Sequence, residues 1–158
     1  MFKNILNILE KIGICNSYDL IIPNIYLGNF NAATDLNFLK NNKIELIVNC
    51  SRNIPFLNDY NCEKIRIPID DNRIFKNYDI LKYLNVIDKI HGYKEKKQNV
   101  LIHCRLGSQR SANIVIQYLL KYCNLNLDSA TQIIKQKRPI CFTPSNSFNH
   151  IYWIFLLF

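Results

Sequence analysis

The stretch Val100-Leu-Ile-His-Cys-Arg-Leu-Gly-Ser-Gln-Arg-Ser111 decides how this chain is read. Val100 to His103 forms a short apolar run, suited to a buried strand, and Ile114, Val115, Tyr118 and Leu119 then recur at helical spacing. Between them, five residues separate Cys104 from Arg110. An arc of that length can curl so that successive backbone N–H groups point into one concavity at the positive end of the following helix. Such a nest binds a phosphate dianion, and it lowers the pKa of a thiol at its centre. The segment predicts a strand–loop–helix unit built to hold an oxyanion against a thiolate.

Chance has to be weighed against this. With six cysteines and six arginines in the chain, one pair at this spacing is expected by accident about a quarter of the time. Requiring His103 before the cysteine, Gly107 within the loop and Ser111 after the arginine lowers that to about one in 10⁵.

Each residue has a chemical part. Cys104 is the candidate nucleophile. Arg105, Leu106, Gly107, Ser108, Gln109 and Arg110 are the candidate phosphate-binding residues, mostly through backbone N–H groups. Gly107 supplies backbone freedom where a side chain could collide with the turn. Arg110 offers a planar fork able to hold two phosphoryl oxygens at once. Ser111 can donate a hydrogen bond to the sulfur. His103 adjoins the cysteine, but strand neighbours face opposite ways, so it reads as a buried hydrogen-bonding residue that orders the loop.

Outward from the loop, Leu20–Ile22 and Ile25–Leu27 read as strands about a Pro23-Asn24 turn, and Ile44–Val48 and Lys64–Ile67 as two more. Helices are expected over 2–12, 31–41 with Leu36 and Leu39 inward, 79–91, 111–123, 128–137 and 146–157. Strands alternating with helices predict one α/β domain with a central, mostly parallel sheet. The length of 158 residues fits a single domain. Residues 1–14 are read as an N-terminal helix and 15–158 as the catalytic domain.

Composition narrows the classes. Hydrophobic residues at 49% and charged ones at 20% describe a folded chain. The net charge of +8 favours acidic partners, nucleic acid among them, although solvated lysine runs such as Lys94–Lys97 account for it equally well. The six cysteines have no CxxC pair and no regular spacing, and with the histidines they offer no metal cage. No metal or other cofactor is expected. The start, MFKNILNILEKIG, alternates apolar and polar residues and does not read as a signal peptide, which leads to the expectation of a reducing, cytoplasmic setting. The apolar run 151–158 is too short for a membrane span. The 22 asparagines fit an AT-rich genome.

His103-Cys104-(five residues)-Arg110-Ser111 resembles the signature of the protein tyrosine phosphatase superfamily. The likeness extends over nearly the whole chain to the small dual-specificity phosphatases: Ile25-Tyr-Leu-Gly28 with Asn31-Ala-Ala-Thr-Asp35, Leu46-Ile-Val-Asn49, Ile67-Pro-Ile-Asp-Asp71, Lys137-Arg-Pro139 and Ser147-Phe148 are each similar to segments of that family. Tyr-Leu-Gly-Asn, the small size and the N-terminal helix look most like the poxvirus branch, whose members are homodimers. The resemblance implies a phosphocysteine mechanism with Asp71 as general acid. Asp70 is its competitor, and Asp71 is favoured because it shares strand parity with Ile67 and Ile69 and has the family offset from Pro68. Leu106 and Gln109 depart from the family, which usually has smaller residues there. A deep-pocket tyrosine loop is absent, which implies a pocket shallow enough for phosphoserine and phosphothreonine as well as phosphotyrosine.

Three rivals are weighed. A rhodanese-type sulfurtransferase has one residue fewer between cysteine and arginine. A phosphatase of the same superfamily acting on RNA 5′-triphosphate or phosphoinositide is kept open by the charge. A silent phospho-binding module would not need Cys104, Arg110 and Asp71 together. Residues 2–12 present an apolar face for a homodimer contact. Cys50 follows the Ile44–Val48 strand at the sheet end where Cys104 also lies, so it is either a redox partner for Cys104 or a small buried hydrophobe.

Overall fold

The structure, a computed structural model, describes residues 8, 10–13, 15–69 and 77–142. The expected helix 146–157, the apolar run 151–158, Ser147-Phe148, most of helix 2–12 and both Asp70 and Asp71 lie outside the described residues. The elements run β1 (Tyr18–Ile22), β2 (Ile25–Gly28), α1 (Phe30–Thr34), α2 (Leu36–Asn41), β3 (Ile44–Asn49), β4 (Glu63–Arg66), α3 (Asn77–Glu95), β5 (Asn99–His103), α4 (Arg110–Cys123) and α5 (Leu127–Lys137). The five strands form one sheet in the order β1-β2-β5-β3-β4. Among the described strands only the β1–β2 hairpin is antiparallel, and β2, β5, β3 and β4 pair in parallel. Asn24 takes a left-handed φ of 69° at the hairpin turn, a conformation asparagine tolerates better than most residues.

β5 lies at the centre because it is apolar on both faces. Val100, Ile102 and the β3 residues Leu46 and Val48 join α3, α4 and α5 in one core. Leu101 faces the other way, into a second core with Ala32, Ala33, Phe38 and Leu39. A register shift between Ile44 and Leu46 lets Ile44 and Ile47 share that second face although their numbers differ in parity. Continuous burial on both faces is what parallel strands under helical cover require. α4 is deeply buried, from Arg110 through Leu119.

The 31–41 segment differs from expectation. It is two short helices broken at Asp35, whose carboxylate accepts from Asn37 N–H (2.9 Å) and Phe38 N–H (3.1 Å). Asp35 thus caps α2 and cannot continue α1. Phe38 and Leu39 are the buried pair, and Leu36 is only half-buried. β4 ends at Arg66, one residue before the expected Ile67, and the long helix, described over Asn77–Glu95, runs on past the expected end at residue 91.

Candidate active site

The loop 104–109 leaves the carboxyl end of the central strand β5, between the ends of β2 and β3, where ligands bind open α/β sheets. Cys104 is buried. Its Sγ accepts from Gly107 N–H and from Ser111 Oγ–H, each at 3.2 Å. Burial alone pushes the thiol up, but the charge of Arg110 and the hydrogen bonds from Ser111 and Gly107 outweigh it. The thiol is left below its ordinary value. The loop that surrounds the sulfur is therefore what favours its thiolate form.

Gly107 carries two constraints at once. Its φ is +67°, and a Cβ there would lie 2.4 Å from the Gly28 carbonyl oxygen. Left-handed backbone and the close approach of β2 both select glycine. Gln109 stands at the N-cap of α4, so the loop runs directly into the positive end of a fourteen-residue helix. Arg110, at 8% exposure, reaches the Ile69 carbonyl with Nη1 at 3.3 Å. Ile67 and Ile69 are buried while Pro68 is exposed, the alternation expected of the approach to the aspartates. The structure thus brings together Cys104, Gly107, Arg110 and Ser111, and it places the segment leading to Asp70 beside Arg110.

His103 is buried as expected, and burial, then the charges of Arg66 and Arg110, hold its pKa down to about 3 against the opposing pull of the Cys104 backbone. It is a neutral imidazole and no general base near neutral pH. Neither ring nitrogen meets hydrogen-bond geometry with a partner among the described residues. The loop-ordering contact in place is its backbone: the His103 carbonyl accepts from Cys50 N–H at 2.7 Å. Asn49 pairs with His103 across β3 and β5, so Cys50 and Cys104 are the next residues on adjacent parallel strands. Both thiols are free.

Arg138 was not singled out by sequence reasoning, yet its side chain is 1% exposed and lies against the loop. Cys141 was also missed; its Sγ lies 3.6 Å from the Gly107 carbonyl. The Lys137-Arg-Pro139 motif was the available signal for Arg138.

A buried thiol that accepts from a loop amide and a serine hydroxyl, with an arginine beside it at a helix start, is an arrangement suited to the chemistry of a cysteine-dependent phosphatase. Comparison with known proteins agrees. Residues 25–155 match the model of the dual specificity phosphatase catalytic domain. Human dual specificity protein phosphatase 21 is 33% identical over 132 residues, spanning 84% of this chain and 68% of that protein. Mouse dual specificity protein phosphatase 14 is 31% identical over 76% of this chain and 60% of its own length. Human dual specificity protein phosphatase 16 is matched over only 19% of its length. Among solved structures, human DUSP28 superposes with a TM-score of 0.78 at 20% identity, covering 89% of this chain and 94% of that one. A mouse putative dual specificity phosphatase complexed with zinc tungstate gives 0.77 at 22%, covering 89% and 87%. The chain belongs to the dual specificity phosphatase family.

Proposed function

We propose that this chain hydrolyses phosphotyrosine and phosphoserine or phosphothreonine in proteins through a phosphocysteine formed on Cys104. The observation that carries this reading is the Cys104 sulfur held by Gly107 N–H and Ser111 Oγ within reach of the Arg110 charge. Cys104 attacks phosphorus in line, and the phosphorus–oxygen bond to the leaving group breaks. Asp71 gives its proton to that oxygen. Arg110 and the loop amides hold the equatorial oxygens as charge develops. Ser111 stabilises the sulfur as it departs, and Asp71, now a carboxylate, takes a proton from the water that cleaves the phosphocysteine. Turnover of p-nitrophenyl phosphate, followed by phosphotyrosyl, phosphoseryl and phosphothreonyl peptides, tests the reading. Hydrolysis of all three peptides supports it; turnover confined to RNA 5′-triphosphate or phosphoinositide contradicts it.

The poxvirus-type arrangement is proposed for the N-terminal segment: residues 2–12 pack on a second copy of the chain. Ile8 and Ile12 support it, being 56% and 60% exposed, while Glu10 is anchored to Asn29 and Asn31 of its own domain. Light scattering should give a dimer for the whole chain and a monomer after deletion of residues 1–14. A monomeric whole chain contradicts it.

Cys50 is proposed as a reversible guard of the nucleophile. In-register residues on neighbouring strands lie about 4.8 Å apart, inside the span a disulfide bridges. Hydrogen peroxide oxidises the Cys104 thiolate to a sulfenic acid, releasing hydroxide. The Cys50 thiol then displaces water to form the disulfide, which a thiol reductant reopens. Peroxide treatment should yield a Cys50–Cys104 peptide by mass spectrometry, and Cys50→Ser should recover less activity under thiol than the parent. Equal recovery and no such peptide contradict it.

A further inference from the structure

The guanidinium of Arg138 is buried behind the phosphate-binding loop and spends its donors there. Nε donates to the Gly107 carbonyl at 2.7 Å and Nη2 to the Leu106 carbonyl at 3.2 Å. Nη1 donates to the Asn16 carbonyl at 2.9 Å and to Asp19 Oδ2 at 2.6 Å. Two further loop carbonyls are tied by backbone groups outside the loop: Arg105 accepts from Phe30 N–H at 3.2 Å, and Ser108 from Phe142 N–H at 3.1 Å.

Four consecutive carbonyls, those of residues 105–108, are thus drawn outward. In a trans peptide the C=O and the following N–H point opposite ways. Pulling these carbonyls out turns the N–H groups of Leu106, Gly107, Ser108 and Gln109 inward, where an oxyanion sits. One of them is visible in that role, since Gly107 N–H lies on the Cys104 sulfur at 3.2 Å.

We propose that Arg138, held by Asp19, is a positioning residue that sets the amide geometry of the phosphate-binding loop. It rests on the phosphatase reading for what the loop binds. Two of the four outward ties come from one planar fork, and that fork is what lysine lacks. Asp19 on β1 neutralises a charge that would be costly to bury alone, and it fixes the orientation in which Nε and Nη2 meet the two carbonyls. The loop is therefore shaped by residues distant in sequence on either side of it. A purely structural part, tying β1 to the end of α5, would affect stability and leave the nucleophile unchanged.

Arg138→Lys separates the two, with Asp19→Asn as the second variant. The readouts are the thermal midpoint, the pH midpoint of iodoacetamide alkylation at the Cys104 peptide, and protection of that peptide by inorganic phosphate. In Arg138→Lys the alkylation midpoint should rise by about one pH unit and phosphate protection should weaken about tenfold, the scale of one lost charge-assisted hydrogen bond. Asp19→Asn should move both in the same direction by less. If Arg138→Lys does not fold, Asp19→Asn decides by the same two readouts. A folded variant that melts earlier while its alkylation midpoint and phosphate protection match the parent overturns the proposal. Alkylation needs no turnover, so the failure of the phosphatase reading would show separately, as absent peptide hydrolysis by the parent chain.

Discussion

Cys104→Ser should abolish turnover of every phosphoester while binding of inorganic phosphate persists. The two effects separate because different groups produce them. Substitution removes the nucleophile, whose thiol the loop holds below its ordinary pKa, whereas a serine hydroxyl in the same ring stays protonated and attacks poorly. The binding elements are the loop amides, the helix start and Arg110, and none of them is altered. Because the reactive form is the thiolate, kcat/KM of the parent should fall on the acid side with an apparent pKa below that of a free thiol. Turnover above a trace in the Ser variant, measured with p-nitrophenyl phosphate, contradicts the assignment.

Asp71→Asn carries the second large effect. On phosphoseryl or phosphotyrosyl substrates, turnover should drop by about 10²–10³, the scale for losing a general acid. The loss should shrink for an aryl phosphate whose leaving group departs without a proton. The motive is the run Ile67-Pro-Ile-Asp-Asp71, together with the Arg110 contact to Ile69, two residues before Asp71. Parallel kinetics on Asp70→Asn discriminate between the carboxylates: a larger loss there moves the general acid to Asp70.

The parts of the fold that were legible are those written in local pattern. The β5 run reads as a buried strand from its apolar residues, and Gly107 could be recognised because a side chain there could collide with the turn; the strand's central place and the positive φ came from the structure. The break at Asp35 was hidden, since Asn31 to Asn41 keeps an apolar rhythm and only the carboxylate capping its own downstream N–H groups interrupts it. His103 shows a different limit. Its burial follows from strand position, but which groups meet its ring nitrogens depends on packing that no local pattern encodes. Arg138 was least legible. At a helix end a basic residue reads as a partner for the helix dipole, yet its contacts reach 31 residues back to Gly107 and 119 back to Asp19.

The central claim is that phosphate passes through the Cys104 sulfur. The most direct measurement is acid quenching during steady turnover, followed by peptide mass spectrometry, using the Asp71→Asn chain so that hydrolysis of the intermediate is slowed. The account predicts a phosphate adduct on the peptide carrying Cys104, absent from the Cys104→Ser chain. An adduct on another residue, or turnover by the parent chain with no phosphoenzyme at any quench time, would contradict it.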